Sequence, residues 1–172
     1  MSQMLELLMY QVGQIFLPLT LLVIVLLFAY SLYALGSFAV MRWQRRRPAA
    51  AVPGFALLEW AAKHPHASED DREVAAHRLL EMLRITTRTT PMLGLVATMI
   101  PMGPALKALS GGDLASVSDN LAIAFSAVIL ALITAAITFW IVSVRRRWLA
   151  EELVWLQTNP IAAMRRELRE AA

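Results

Sequence analysis

The stretch Thr90–Leu109, TPMLGLVATMIPMGPALKAL, decides how this chain is read. From Thr89 to Leu106 it carries no charge, a length that can cross a bilayer as a helix. Yet it holds Pro91, Pro101 and Pro104, Gly94 and Gly103, and a mid-span Thr98. A helix that only anchors a protein has no use for so many breakers. In hydrocarbon, the carbonyls that the three prolines leave without donors must find partners on neighbouring helices, hydroxyls or water. The segment is therefore expected inside an assembly, beside something wet. The competing reading is a kinked packing helix with Thr98 bonded to its own backbone.

Working outward, hydrophobic residues make up 58% of the 172 and mean hydropathy is +0.56, too apolar for a soluble chain of this length. Charge-free intervals lie between Glu6 and Arg42, between Arg88 and Lys107, and between Asp119 and Arg145. Each can hold the roughly 20 apolar residues that a spanning helix needs. The sequence predicts an all-α integral membrane protein with three transmembrane helices, at 15–41, 90–109 and 119–144, and cytoplasmic helical extensions. Cysteine is absent, which excludes a disulfide framework and thiolate chemistry. The pI near 9.8 invites a nucleic-acid reading, but the arginines sit at the span ends, so no nucleic acid is expected.

Those arginines set the topology. Arg42, Arg45, Arg46 and Arg47 follow span one, Arg84 and Arg88 precede span two, and Arg145, Arg146 and Arg147 follow span three. Basic flanks stay in the cytoplasm. That places 1–14 outside, 42–89 inside, a short outer loop at 110–118, and 145–172 inside. No basic segment precedes the first apolar run, and that run is longer than a signal-peptide core, so it is not read as a cleaved signal. Tyr10, Trp43, Trp140 and Trp148 fall near the expected interfaces. The location implied is a bacterial or archaeal cytoplasmic (inner) membrane.

Within 42–89, the linker around Pro48 and Pro53 leads to a short helical run, Gly54–His64, which His64-Pro65-His66 breaks. Ser68 and Asp71 have capping-box spacing for a helix over 69–88, which would turn Val74, His77, Leu80 and Leu83 to one side. Asp113, after Gly111-Gly112, suits the N-cap of a third span that continues past Val144 until Pro160. No phosphate-cradling glycine loop and no nucleophile elbow is present, so no enzyme is expected and no cofactor is implied. His64, His66 and His77 lack a completing carboxylate pattern, so no metal site is assigned. The basic runs read first as topology determinants and second as contacts for membrane lipids.

The membrane region does hold an uncharged polar seam. Thr98 lies on span two, and Ser126, Thr134 and Thr138 on span three, as candidate channel-lining hydroxyls. Gly94, Ala97 and Gly103 offer close packing to the alanines of span three, Ala122 to Ala136. Span one, by contrast, is nearly all large aliphatics from Leu17 to Phe28, which suits a lipid-facing helix. For the alanines alone, ordinary helix packing is the preferred reading.

PMLGLVATMIPM at 91–102 resembles the second-span motif of the MotA/TolQ/ExbB proton-channel family, roughly P-x-L-G-L-x-G-T-V-x-G-M. Pro91, Leu93, Gly94, Leu95, Thr98 and Met102 match it. A short outer loop with Gly112-Asp113 and the small-residue third span follow in the same order. The chain departs at Ala97 and Pro101, where family members commonly carry glycine. It departs again at Ile123 and Val128, where a Glu and a Thr of the TolQ/ExbB type would fall. The resemblance implies an oligomeric ring, typically a homopentamer, around a single-span ExbD/TolR/MotB-like partner dimer that supplies an intramembrane aspartate. Physics agrees on the last point: nothing in the charge-free intervals ionises near neutral pH, so a proton-relaying carboxylate must come from elsewhere. The function implied is a motor or channel subunit driven by the proton-motive force. The alternatives are a non-conducting scaffold of the same fold and a small transporter or lipid-binding protein.

Overall fold

The computed structural model describes residues 2–46 and 54–158. Arg47, Pro48, Pro53 and Pro160, and the side chains of Glu6 and Tyr10, lie outside the described part. Among the described residues there are four helices and no strand: α1 (Ser2–Arg45), α2 (Ala56–Lys63), α3 (Glu69–Ser110) and α4 (Leu114–Thr158). Three of them, α1, α3 and α4, are long and apolar enough to cross a membrane.

The caps follow the sequence chemistry. At the start of α3 the Asp71 carboxylate accepts from the Ser68 N–H at 3.0 Å, and the Asp71 N–H donates to the Ser68 hydroxyl at 3.2 Å. This is the reciprocal box expected from the spacing. α3 ends at a turn in which Asp113 N–H donates to Ala108 O at 3.0 Å and Gly112 N–H to Leu109 O at 3.1 Å. Gly112 sits at φ 77, a left-handed conformation that glycine adopts without a Cβ penalty. The Ser116 N–H then donates to Asp113 Oδ1 at 3.1 Å, capping α4. The Ser116 hydroxyl, and next its backbone N–H, hold the Asp113 carboxyl below the ordinary aspartate range.

Two boundaries differ from the sequence reading. The helix expected over 69–88 and the span expected over 90–109 are one helix, with Pro91, Pro101 and Pro104 inside it. Each proline removes a single donor but already has helical φ, and Thr90 Oγ1 supplies an extra bond to Thr86 O at 2.6 Å just before Pro91. Likewise α1 extends from Ser2 through Arg45, well beyond 15–41 on both sides.

The chain divides into two compact units, the first made of Met1–Leu32 and Thr86–Ile137, the second of Tyr33–Ile85 and Thr138–Ala172. In the first, Ile24 of α1, Ala97 of α3, and Ala127 and Ala131 of α4 form a buried cluster, flanked by Leu21, Leu93 and Leu130. Span one is thus not lipid-facing all round. Ile24 is 1% exposed, while Leu19, Leu22, Val25 and Leu26 are more than half exposed. The uniform run of aliphatics hides which stripe is packed, because every position carries the same hydropathy.

In the second unit Leu57 and Ala61 of α2 pack with Ala75, Ala76 and Leu80 of α3 and with Leu149 and Leu156 of α4. Leu80 and Leu83 are buried as expected, but Val74 and His77 are exposed and Ala75 and Ala76 take their place. The face is rotated because the small methyl groups admit α2 closely, a preference that hydropathy ranks below valine.

Candidate functional site

The first unit carries the motif residues. A Cβ added to Gly94 would lie 2.8 Å from Ala131 Cβ and 3.4 Å from Val128 Cγ2, so only glycine lets α3 and α4 approach this closely. Ala97, fully buried, continues the contact. Gly103 makes no such contact within one chain: a Cβ there would meet nothing within 4 Å. Pro101 is buried, and Pro91 and Pro104 are half-buried.

The candidate hydroxyls fall in two kinds of environment. Thr134 and Thr138 are fully buried, and Thr134 Oγ1 donates to Leu130 O at 2.8 Å. Thr98 is half-buried, with Oγ1 donating to Leu95 O at 2.7 Å. Ser126 is exposed, with Oγ donating to Ala122 O at 2.8 Å. Bonds to the helix's own carbonyls are how a hydroxyl rests in an apolar setting, and a better acceptor can displace them.

Within the first unit, Thr98 and Ser126 fall on different sides of the α3–α4 pair. Leu93 and Leu130, with Leu21 of α1, pack on the cluster that contains Ile24 of α1. Thr98 follows Leu93 by five residues, about 140° round α3, and Val128 precedes Leu130 by two, about 160° round α4. Thr98 and Val128 therefore share the side of the α3–α4 pair away from α1. Ser126, four residues before Leu130, is only about 40° from it and falls on the α1 side. The face bearing Thr98 is thus uncharged, with the exposed Leu95 and Met102 beside the hydroxyl and Gly94 against Val128 and Ala131.

Sequence reasoning missed a second cluster, in the other unit. Glu152 is 3% exposed and accepts from the Arg45 guanidinium and, at 2.8 Å, from the Leu57 N–H. It ties the end of α1, the first turn of α2 and α4 to one carboxylate. Arg45 also donates from Nε to Gly54 O at 2.7 Å and lies 4.3 Å from the ring centroids of Phe55 and of Trp148. As part of a basic run Arg45 reads as a topology and lipid-contact charge, yet here it points into the fold. The available signal was Glu152 itself, a carboxylate on the stripe Leu149, Glu152, Leu156 whose neighbours are core residues.

The His64 imidazole stacks on Trp60 at 4.4 Å and its Nδ1 sits 3.0 Å from Trp60 O. Among the described residues no group of three or more His, Cys, Asp or Glu could hold a metal.

With this geometry in place, comparison with known families gives one result: the MotA/TolQ/ExbB proton channel family matches over residues 61–157. The chain belongs to this family. Comparisons with curated proteins and with solved structures give no match. The MotA/TolQ/ExbB match spans α3 and α4 almost whole, the helices that carry the motif and the glycine contact. Three apolar helices and this membership make the protein a multi-pass membrane protein, of a family whose function is that of a membrane proton channel.

Proposed function

We propose that this chain is the multi-span subunit of an energy converter in the cytoplasmic membrane of a prokaryote, driven by the proton-motive force. Copies of it, most simply five, form a ring around a single-span partner dimer whose intramembrane aspartate carries the proton. It does no enzymatic chemistry. The observation that carries this reading is the uncharged face of α3 and α4 bearing Thr98, in a chain of the MotA/TolQ/ExbB family. The charge-free intervals supply no titratable group, so proton transfer needs a carboxylate from a partner helix. Thr98 meets that carboxylate or its water by releasing Leu95 O. One elementary charge crossing 100 mV supplies about 2.3 kcal/mol, enough to bias a rotation or tilt of partner against ring. Force then passes to the partner's domain outside the membrane.

Thr98→Val keeps the shape and deletes the hydroxyl. Losing a hydrogen bond to a charged group costs about 1.5–3 kcal/mol, so proton flux should fall about ten- to a hundredfold at normal subunit and partner levels. Thr134→Val, inside the fold, should change flux less at equal expression. Normal flux in the Thr98→Val strain would remove the coupling role. Ile123 and Val128, apolar where the family pattern places a Glu and a Thr, favour the second reading, a non-conducting scaffold that holds the partner without ion flow. A neighbouring gene for a single-span protein with a membrane aspartate, together with the flux assay, separates the two.

The proposed topology has the N-terminus outside, 42–89 and 145–172 in the cytoplasm, and the α3–α4 turn outside. In intact cells, Ser110→Cys should react with an impermeant maleimide and Ser68→Cys only after lysis. The reverse pattern overturns this orientation.

A further inference from the structure

In the second unit the end of α1 and the middle of α4 lie side by side. Phe38 meets Trp140 at 5.3 Å and Trp148 at 5.2 Å, and further along α1 Arg45 reaches Trp148 and Glu152. Increasing number in α1 thus pairs with increasing number in α4, so the two helices run the same way. A step forward round α1 and a step backward round α4 then lead to the same side of the pair. Arg42 and Arg46 lie about 40° and 80° forward of Phe38 on α1. On α4, Trp140 and Arg147 lie about 80° and 100° back from Trp148, with Glu151 about 60° back. One side of the pair therefore gathers three guanidiniums, one carboxylate and an indole.

The charges on this side do not cancel. Arg147 Nε lies 3.7 Å from Glu151 Oε1, an exposed pair that neutralises one guanidinium weakly. Arg42 and Arg46 are exposed, and Trp140 is 49% exposed. Glu152 offers them nothing, because the Arg45 guanidinium and the Leu57 N–H occupy it. Arg42 is the first charge after the interval that begins beyond Glu6, and Arg145 the first after Asp119. Both helices therefore leave the apolar layer at this level, where the headgroups of a bilayer lie.

We propose that this side of α1 and α4 binds the headgroup of an anionic phospholipid. Arg42 and Arg46 hold the phosphodiester through their planar forks, and the Trp140 indole lies against the glycerol and upper acyl chain. Guanidinium suits the task because its paired N–H groups match two phosphate oxygens at once. Glu151 restricts the net positive charge and so sets a preference for one headgroup over a crowd of them. The occupant is a lipid rather than a free anion because the apolar indole lies on the same side, seven residues before Arg147 and so nearer the membrane interior, and the site sits at the end of two spans.

The test uses the full chain, reconstituted in phosphatidylcholine vesicles with small amounts of brominated phosphatidylglycerol or brominated phosphatidylcholine. The readout is quenching of Trp140, taken as wild type minus Trp140→Phe. Brominated phosphatidylglycerol should quench at about tenfold lower mole fraction than brominated phosphatidylcholine. Arg42→Gln with Arg46→Gln should abolish that preference, Arg42→Lys with Arg46→Lys should keep most of it, and Arg78→Gln should leave it intact. Helix content and elution volume confirm that each variant is folded. If the glutamine pair does not fold, the wild-type preference and the lysine pair still decide. Equal quenching by both lipids in the wild type overturns the proposal. So does an intact preference in the glutamine pair, or loss of quenching when millimolar inorganic phosphate is added.

Discussion

Glu152→Ala should lower the stability of the folded chain by about 3 kcal/mol, because it leaves the Arg45 guanidinium, only 13% exposed, without its counter-ion. The same change strips the Leu57 N–H of its acceptor at the first turn of α2. Unfolding in mixed micelles with increasing SDS reads the loss directly. Glu151→Ala, one residue earlier and 62% exposed, should change the midpoint by no more than about 1 kcal/mol. The pair Arg45→Met with Glu152→Leu should recover much of the loss, since apolar replacement of both partners removes the buried charge altogether. Equal midpoints for Glu152→Ala and Glu151→Ala would show that the pair does not hold this unit together.

Gly94→Val should have the larger effect on the first unit. A Cβ at 94 already overlaps Ala131 Cβ, and the valine methyls add further contact with Val128, so the helices must separate. Overpacking of this kind costs about 1–3 kcal/mol, and a fixed alanine Cβ cannot swing aside to reduce it. Gly94→Ala sets a smaller clash against a gain of about 1 kcal/mol in helix propensity, so it should be milder. Adding Ala131→Gly should restore Gly94→Ala towards wild type, which a propensity effect alone would not do. Gly103→Val is the contrast: open space surrounds that position within the chain, so the subunit's own unfolding midpoint should move by less than about 0.5 kcal/mol. SDS titration of the four variants measures all of this. A Gly94→Val chain as stable as Gly103→Val would refute the close contact.

The sequence alone determined the all-helical class, the three apolar helices, the caps at Ser68 and Asp113, the turn at Gly112, and family membership. These follow from local signals: charge-free length, a hydroxyl and a carboxylate three residues apart, and a motif with fixed spacing. Each needs only the residue and its near neighbours along the chain. Pro91 shows where local rules fail. It reads as a kink just inside a separate span, yet α3 runs unbroken from Glu69 through it, because a long helix held by other contacts tolerates one missing donor.

Only the tertiary structure decided which faces pack. Gly94 and Gly103 are alike as letters, but a Cβ at one would overlap Ala131 and a Cβ at the other would meet nothing within 4 Å. Thr98 and Ser126 look like parts of one seam, yet helix geometry puts them on opposite sides of the α3–α4 pair. Arg45 and Arg46 are neighbours in one basic run, and only Arg45 turns inward to Glu152, 107 residues away. The physical reason is common to all three. Hydropathy and charge are properties of a residue, whereas packing distance, face and ion pairing depend on which helix arrives alongside, and no local pattern records that.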